Sequence, residues 1–222
     1  MTITILTLFP EYFTAPVQTS LLGRAVEKRL INIKLIDIRD FATNSHRTVD
    51  DRPFGGGPGM VMMVEPIAKA VESAQLAVDN EMVVLLSARG QAFTQKTARD
   101  FAQLDHLILI CGHYTDVDQR VADHIADLEV RVGQAVLTGG EPAAALILDA
   151  SSRLLPGVLG NEENLVEESL DPEMGILASA PAYTRPADFQ GQKVPDVLLT
   201  GNHAEIEAWR KKQTVKFDAA GI

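Results

Sequence analysis

MVVLLSARGQAFTQKTARDFAQLDHLILIC, residues 82–111, holds two apolar runs separated by a polar stretch. MVVLLS (Met82–Ser87) and HLILICG (His106–Gly112) are continuous apolar segments bounded by glycine, as expected of strands buried on both faces. Between them, Thr94 opens a helix that runs to Leu104. Strand, helix and strand in this order predict parallel strands joined by a crossover.

The same alternation continues on both sides. Downstream, Val117, Val121, Ile125 and Leu128 fall at spacings of four, four and three, predicting a helix over Asp116–Leu128. LEVRV (Leu128–Val132) then alternates as a short strand, and Glu141–Leu155 is a helix rich in Ala and Leu, stopped by Pro156-Gly157. Upstream, Thr2–Phe9 and Ile31–Ile38 read as strands. Pro16–Lys28 reads as a helix with Leu21, Leu22 and Ala25 on one face, and Pro66–Val78 as another with proline in its first turn. Asn44–Met60 is polar and glycine-rich, and is not expected to form a regular element. The fold class is therefore α/β with a mainly parallel sheet. Residues 1–160 form its main domain. The acidic segment 161–175 reads as a flexible linker, and 176–222 as a small C-terminal domain with a helix capped by Asn202.

Bulk properties limit the function classes. With 222 residues and 46% hydrophobic composition, a sizeable core can be buried. The single cysteine, Cys111, excludes an internal disulfide framework and reads as an inert core thiol. No basic leader with a cleavage site is visible, and no apolar run reaches the ~20 residues of a membrane span. A cytoplasmic protein without a membrane partner is expected. The net charge of −10 has the wrong sign for a nucleic-acid binder, although WRKKQTVK (Trp209–Lys216) is a local basic cluster.

Several sites are absent by motif. There is no phosphate-binding P-loop, no Rossmann fingerprint, no serine-nucleophile elbow and no zinc helix. The five histidines lack metal-ligand spacing, so no metal residues are assigned. What remains is three glycine-bearing loops after strands: LSARGQ (Leu86–Gln91), CGHYTD (Cys111–Asp116) and VGQAVLTGGE (Val132–Glu141). In a parallel sheet such loops lie side by side where ligands bind. A fourth loop, HRTVDDRPFGGGPGM (His46–Met60), reads either as a flexible surface loop or as one that closes over a substrate.

These residues also carry a resemblance. LFPEYF, SLLGRA, HRTVDDRPFGGGPGM, MVEPIAKA, LTGGE, RLLPGVLGNEE, YTRP and VPDVLLTGNHAEIEAWR occur in the order seen in bacterial tRNA (guanine-N1)-methyltransferases, over nearly the whole chain. The resemblance implies a SPOUT-type fold with a deep trefoil knot, plus a small helical C-terminal domain. It implies transfer of a methyl group from S-adenosylmethionine to N1 of the guanosine at position 37 of tRNA, and a homodimer that binds tRNA, not DNA. It also admits Mg2+. The cofactor site it implies consists of Leu86, Ser87, Gly112, Tyr114, Val132, Gly133, Gln134, Ala135, Val136, Leu137, Gly139 and Gly140. His46, Asp50, Gly55, Gly56, Gly57, Gly59 and Met60 fall to the substrate loop.

Guanine N1 carries a proton that a base must remove, and charge then develops on O6. Glu168 matches the family's aspartate base, with Asp171 as the second candidate, and Arg153 matches the arginine aimed at O6. The chain departs from the family in places. CGHYTD replaces CGRYEG, so Thr115 stands for glutamate. Gln134 and Ala135 stand for aspartate and tyrosine, and Ala178 for a further aspartate. Two alternatives stay open at this point: a catalytically weakened homologue that binds RNA or cofactor, and a knotted methyltransferase with a shifted RNA target.

Overall fold

The computed structural model describes residues 1–160, 168–170 and 175–216. The chain divides into two compact units, Met1–Gly160 and Asn161–Ile222.

The first unit is built on five parallel strands: β1 (Thr2–Thr7), β2 (Asn32–Asp37), β5 (Glu81–Ala92), β6 (His106–Cys111) and β8 (Leu128–Arg131). They lie in the order β2-β1-β6-β5-β8. Every residue of β6 is buried, and its side chains alternate between two cores. Leu107 and Leu109 face one core, shared with α2 (Ser20–Glu27), α4 (Gln95–Ala102) and α6 (Glu141–Ser152). Ile108 and Ile110 face the other, shared with α3 (Val64–Ala74) and α5 (Gln119–His124). Helices cover both faces, which is why the central strands read as unbroken apolar runs. This is the mainly parallel α/β architecture expected of a SPOUT-type fold.

Several boundaries differ from the sequence expectation. The helix over Pro16–Lys28 is broken into α1 (Thr14–Gln18) and α2, because Thr19 is extended and Ser20 has φ 57°. Gly23 sits where a Cβ would press on the backbone of Gln18, so the two pieces pack closely. Helix α3 stops at Ala74, short of Val78, and α6 stops at Ser152, ahead of Pro156. Strand β5 continues past Ser87 to Ala92, so LSARGQ is not a plain loop. Its pairing with β8 shifts register between Leu86 and Gln91. Gly90 lies there against the backbone of Glu129 and Val130, where a side chain has no room.

The largest revision is the helix expected over Asp116–Leu128. Asp116–Val117 is instead strand β7, and only Gln119–His124 is helical, with Asp118 as its N-cap. Asn44–Met60 also contains a regular piece, β3 (Asp50–Asp51). β3 pairs antiparallel with β4 (Val61–Met62), which pairs parallel with β7.

The second unit contains more than a helix. β9 (Ile176–Ala178) pairs with β12 (Val215–Lys216), and β10 (Asp188–Phe189) forms a hairpin with β11 (Gln192–Lys193). Gln190 and Gly191 both have positive φ, 55° and 83°, as a tight two-residue hairpin turn demands. Helix α7 (His203–Gln213) starts at Asn202 as expected, whose side chain accepts the Glu205 N–H. Arg210, Lys211 and Lys212 occupy its last turn, where cations suit the helix dipole. The acidic segment 161–175 falls mostly outside the described residues. Of its described part, the Leu170 N–H donates to Leu177 O and Ser169 Oγ accepts the Ser179 N–H.

Candidate active site

The register shift of β5 lies between the C-terminal ends of β6 and β8, and this stretch and the loops after β6 and β8 enclose a cavity of about 220 Å³. Leu86 and Ser87 line it from β5, at the register shift, and Gly112 and Tyr114 from the loop after β6. From the loop after β8 come Val132, Ala135, Val136, Leu137, Gly139 and Gly140. Gly133 and Gln134 belong to the same loop but are outside the lining. Glycine is required where backbones touch. The Gly140 N–H donates to Gly112 O at 2.8 Å, and a Cβ on Gly140 would lie 2.7 Å from Cys111 Cα. The second and third loops are thereby held together, with a further bridge between His113 and Gly139.

A buried polar group supports these loops from below. Glu141, 4% exposed, opens α6, and its Oε1 accepts the Thr7 hydroxyl at 2.7 Å. Burial pushes the Cys111 thiol well above its ordinary range, with the Glu141 charge adding to the shift, so this cysteine stays protonated and unreactive. The His113 ring packs on Phe9 at 4.9 Å and on Tyr114 at 5.1 Å, while its buried Nδ1 has no hydrogen-bond partner. Tyr114 has φ 63°, a conformation that costs a non-glycine residue roughly 1–3 kcal/mol. It projects toward the cavity, and Arg39 donates to its hydroxyl at 3.4 Å.

The cavity rim is charged. Arg89 donates to Asp116 Oδ2 at 2.5 Å and to Gln119 Oε1 at 2.8 Å. The glycine-rich loop is tied to the same rim by the small sheet. Thr115 N–H donates to Met60 O, and Asp118 N–H to Met62 O. Gly59, at φ 85°, sits so close that a Cβ would collide with Thr115 Oγ1. Asp50 begins β3, whereas His46 lies in an exposed turn. Gly55, Gly56 and Gly57 all have positive φ, with open space around them, and Phe54 is 100% exposed.

Arg153 caps the C-terminus of α6 in the first unit. Glu168 is half-buried and belongs to the second. Asp171 lies outside the described residues. Among the described residues no group of three or more His, Cys, Asp or Glu side chains could hold a metal ion. Among them, too, no helix is long and apolar enough to cross a membrane.

The family model described as tRNA (Guanine-1)-methyltransferase TrmD matches residues 1–219. The chain belongs to this family. It is 51% identical to a tRNA (guanine-N(1)-)-methyltransferase of Carboxydothermus hydrogenoformans, over 97% of this chain and 83% of that protein. It is 48% identical to one from Geobacillus kaustophilus, over 97% of this chain and 87% of the other. A third, from Bacillus cereus (strain B4264), is 47% identical over 97% and 88%.

For this member of the tRNA (guanine-1)-methyltransferase family, sequence reasoning did not single out several cavity residues. Ala88, Arg89, His113, Asp116 and Thr138 line the cavity too. Their one sequence signal was position, since each lies inside a loop already marked by its glycines. Glu141, at the end of LTGGE, gave no sign that it would be buried beneath the loops.

Proposed function

We propose that the chain transfers a methyl group from S-adenosylmethionine to N1 of the guanosine at position 37 of tRNA, beside the anticodon. The observation that carries this reading is the convergence of the irregular stretch of β5 and the loops after β6 and β8 on one cavity, in a chain of this family. S-adenosylmethionine, when bound, supplies a methyl group activated by its sulfonium. The cavity suits it. Apolar side chains of Leu86, Val132 and Leu137 offer contact for a purine, and exposed backbone at Gly112, Gly139 and Gly140 allows close approach. The deep trefoil knot implied by the resemblance is the reason these loops stay folded against one another in this reading.

The chain's own residues then do the proton and charge work. Glu168 takes the N1 proton through its carboxylate, and the Arg153 guanidinium stabilises the charge that develops on O6. The glycine-rich loop from His46 to Met60 holds the substrate, its exposed Phe54 and flexible glycines favouring a closing role. The basic last turn of α7 is the candidate tRNA contact in the second unit. Mg2+, which the resemblance admits, needs no all-protein cage, because it is commonly bound through one or two carboxylates together with substrate oxygens and water. The protein acts as a homodimer, and works in the cytoplasm, where tRNA is found.

The test is incubation of the purified protein with unmodified tRNA and labelled methyl donor, followed by nucleoside mass spectrometry. Label is expected in 1-methylguanosine at position 37. Label in another nucleoside would replace the target, and no label alongside saturable cofactor binding would mark a weakened homologue.

A further inference from the structure

The geometry points to the Arg89–Asp116 pair as the receptor for the α-amino acid end of the methyl donor, with Asp116 taking the ammonium and Arg89 the carboxylate. The inference rests on the proposed cofactor reading and adds which residues recognise which end of the ligand.

Asp116 is the one carboxylate among the residues that line the cavity. The family string CGRYEG has its acid one position earlier. Here that position is Thr115, whose side chain meets Gly59 of the glycine-rich loop. Both positions line the cavity, and Asp116 carries the negative charge there. Its Oδ1 accepts the Val117 N–H at 2.9 Å and its Oδ2 contacts Arg89, so the carboxylate is held in one orientation.

Arg89 is fixed in a similar way. Gln119 Oε1 accepts from its Nη1 and Asp116 Oδ2 from its Nη2, which sets the plane of the guanidinium, and the Nη2 side becomes available to a carboxylate once Asp116 turns to the ammonium. The side chains of Arg89 and Asp116 are 63% and 35% exposed, and a pair so accessible to water adds little to folding. Opening it costs correspondingly little. A zwitterion of matching size replaces each partner's lost contact with one of the same sign, so the exchange is charge-neutral. Arg131, the other cationic residue of the lining, already donates to Gly90 O and is turned to the backbone.

Two ligands separate this role from simple support of the loop. S-adenosylhomocysteine carries the amino acid end, and 5′-methylthioadenosine is the nucleoside thioether without it. Calorimetric titration of both into the unchanged protein, Asp116→Asn and Arg89→Gln gives the answer. Each variant is expected to lose roughly tenfold to a hundredfold in affinity for S-adenosylhomocysteine, the worth of a charged hydrogen bond. Affinity for 5′-methylthioadenosine should stay within about twofold, which also shows that the variants are folded. Equal losses for both ligands would make the pair a structural clamp and overturn the inference, as would no loss for either. If the unchanged protein binds neither ligand, the cofactor reading itself fails and takes this inference with it.

Discussion

A carboxylate that removes the guanine N1 proton is sensitive to both charge and reach, and Glu168, the proposed base, differs from the aspartate that the resemblance leads one to expect in reach alone. Glu168→Gln keeps the shape but cannot accept a proton at neutral pH. It should lower methyl transfer at least a hundredfold, within the range of general-base contributions, and leave S-adenosylhomocysteine affinity within about twofold. Single-turnover assays with labelled donor, beside calorimetry, read both. Arg153→Lys should also fail in turnover, because an ammonium lacks the planar fork of a guanidinium. Normal turnover by Glu168→Gln with a dead Asp171→Asn would move the base three residues along. Glu168→Asp is informative in either direction. A faster enzyme would mean that the longer side chain is poorly placed, and a slower one that the backbone has adjusted around it.

At the scale of elements, the strands were legible and the loops were less so. β6 after His106 and β5 from Met82 to Leu86 could be read because each residue there is apolar and both faces are covered. The Asp116–Leu128 helix was misjudged because Val117 fits the helical spacing, yet its backbone is taken by Met62 of β4. A two-residue strand held by a partner far away in sequence leaves no periodic signal. Arg89, Asp116 and His113 escaped notice for a related reason, since single charged side chains in loops carry no pattern. That tertiary pairing has a testable consequence. Just ahead of β4, the glycine-rich loop is joined to the cavity rim by the bond from the Thr115 N–H to Met60 O, at 3.1 Å. Gly59 permits this contact by its φ of 85° and its lack of a side chain. Gly59→Ala should therefore weaken the junction by about 1 kcal/mol or more, and hydrogen exchange at the Thr115 amide should speed up about fivefold. Unchanged exchange there would mean that the loop is not tied to the rim in solution.

For the whole molecule, net charge and exposed apolar surface make different demands. A chain of charge −10 repels RNA at long range, so attraction must come from local basic groups such as the last turn of α7. Each chain carries one such turn, and a pair of chains would offer two. The third cavity loop meanwhile leaves Val136 93% exposed and Leu137 44% exposed, with Tyr114 38% exposed beside them. Isolated apolar residues on a surface are ordinary, but here three cluster at the mouth of one cavity, where a partner surface would cover them. The proposed homodimer predicts a mass near twice 24.1 kDa by light scattering at micromolar concentration. Val136→Asp should shift that mass toward the monomer, because an aspartate buried in an interface without a partner opposes association strongly. The variant's fold is checked by its thermal unfolding, since a side chain so exposed in the single chain contributes little to the core. A monomer mass for the unchanged protein would remove the dimer from the proposal. A dimer that withstands Val136→Asp would keep the assembly and move its interface away from the cavity loops.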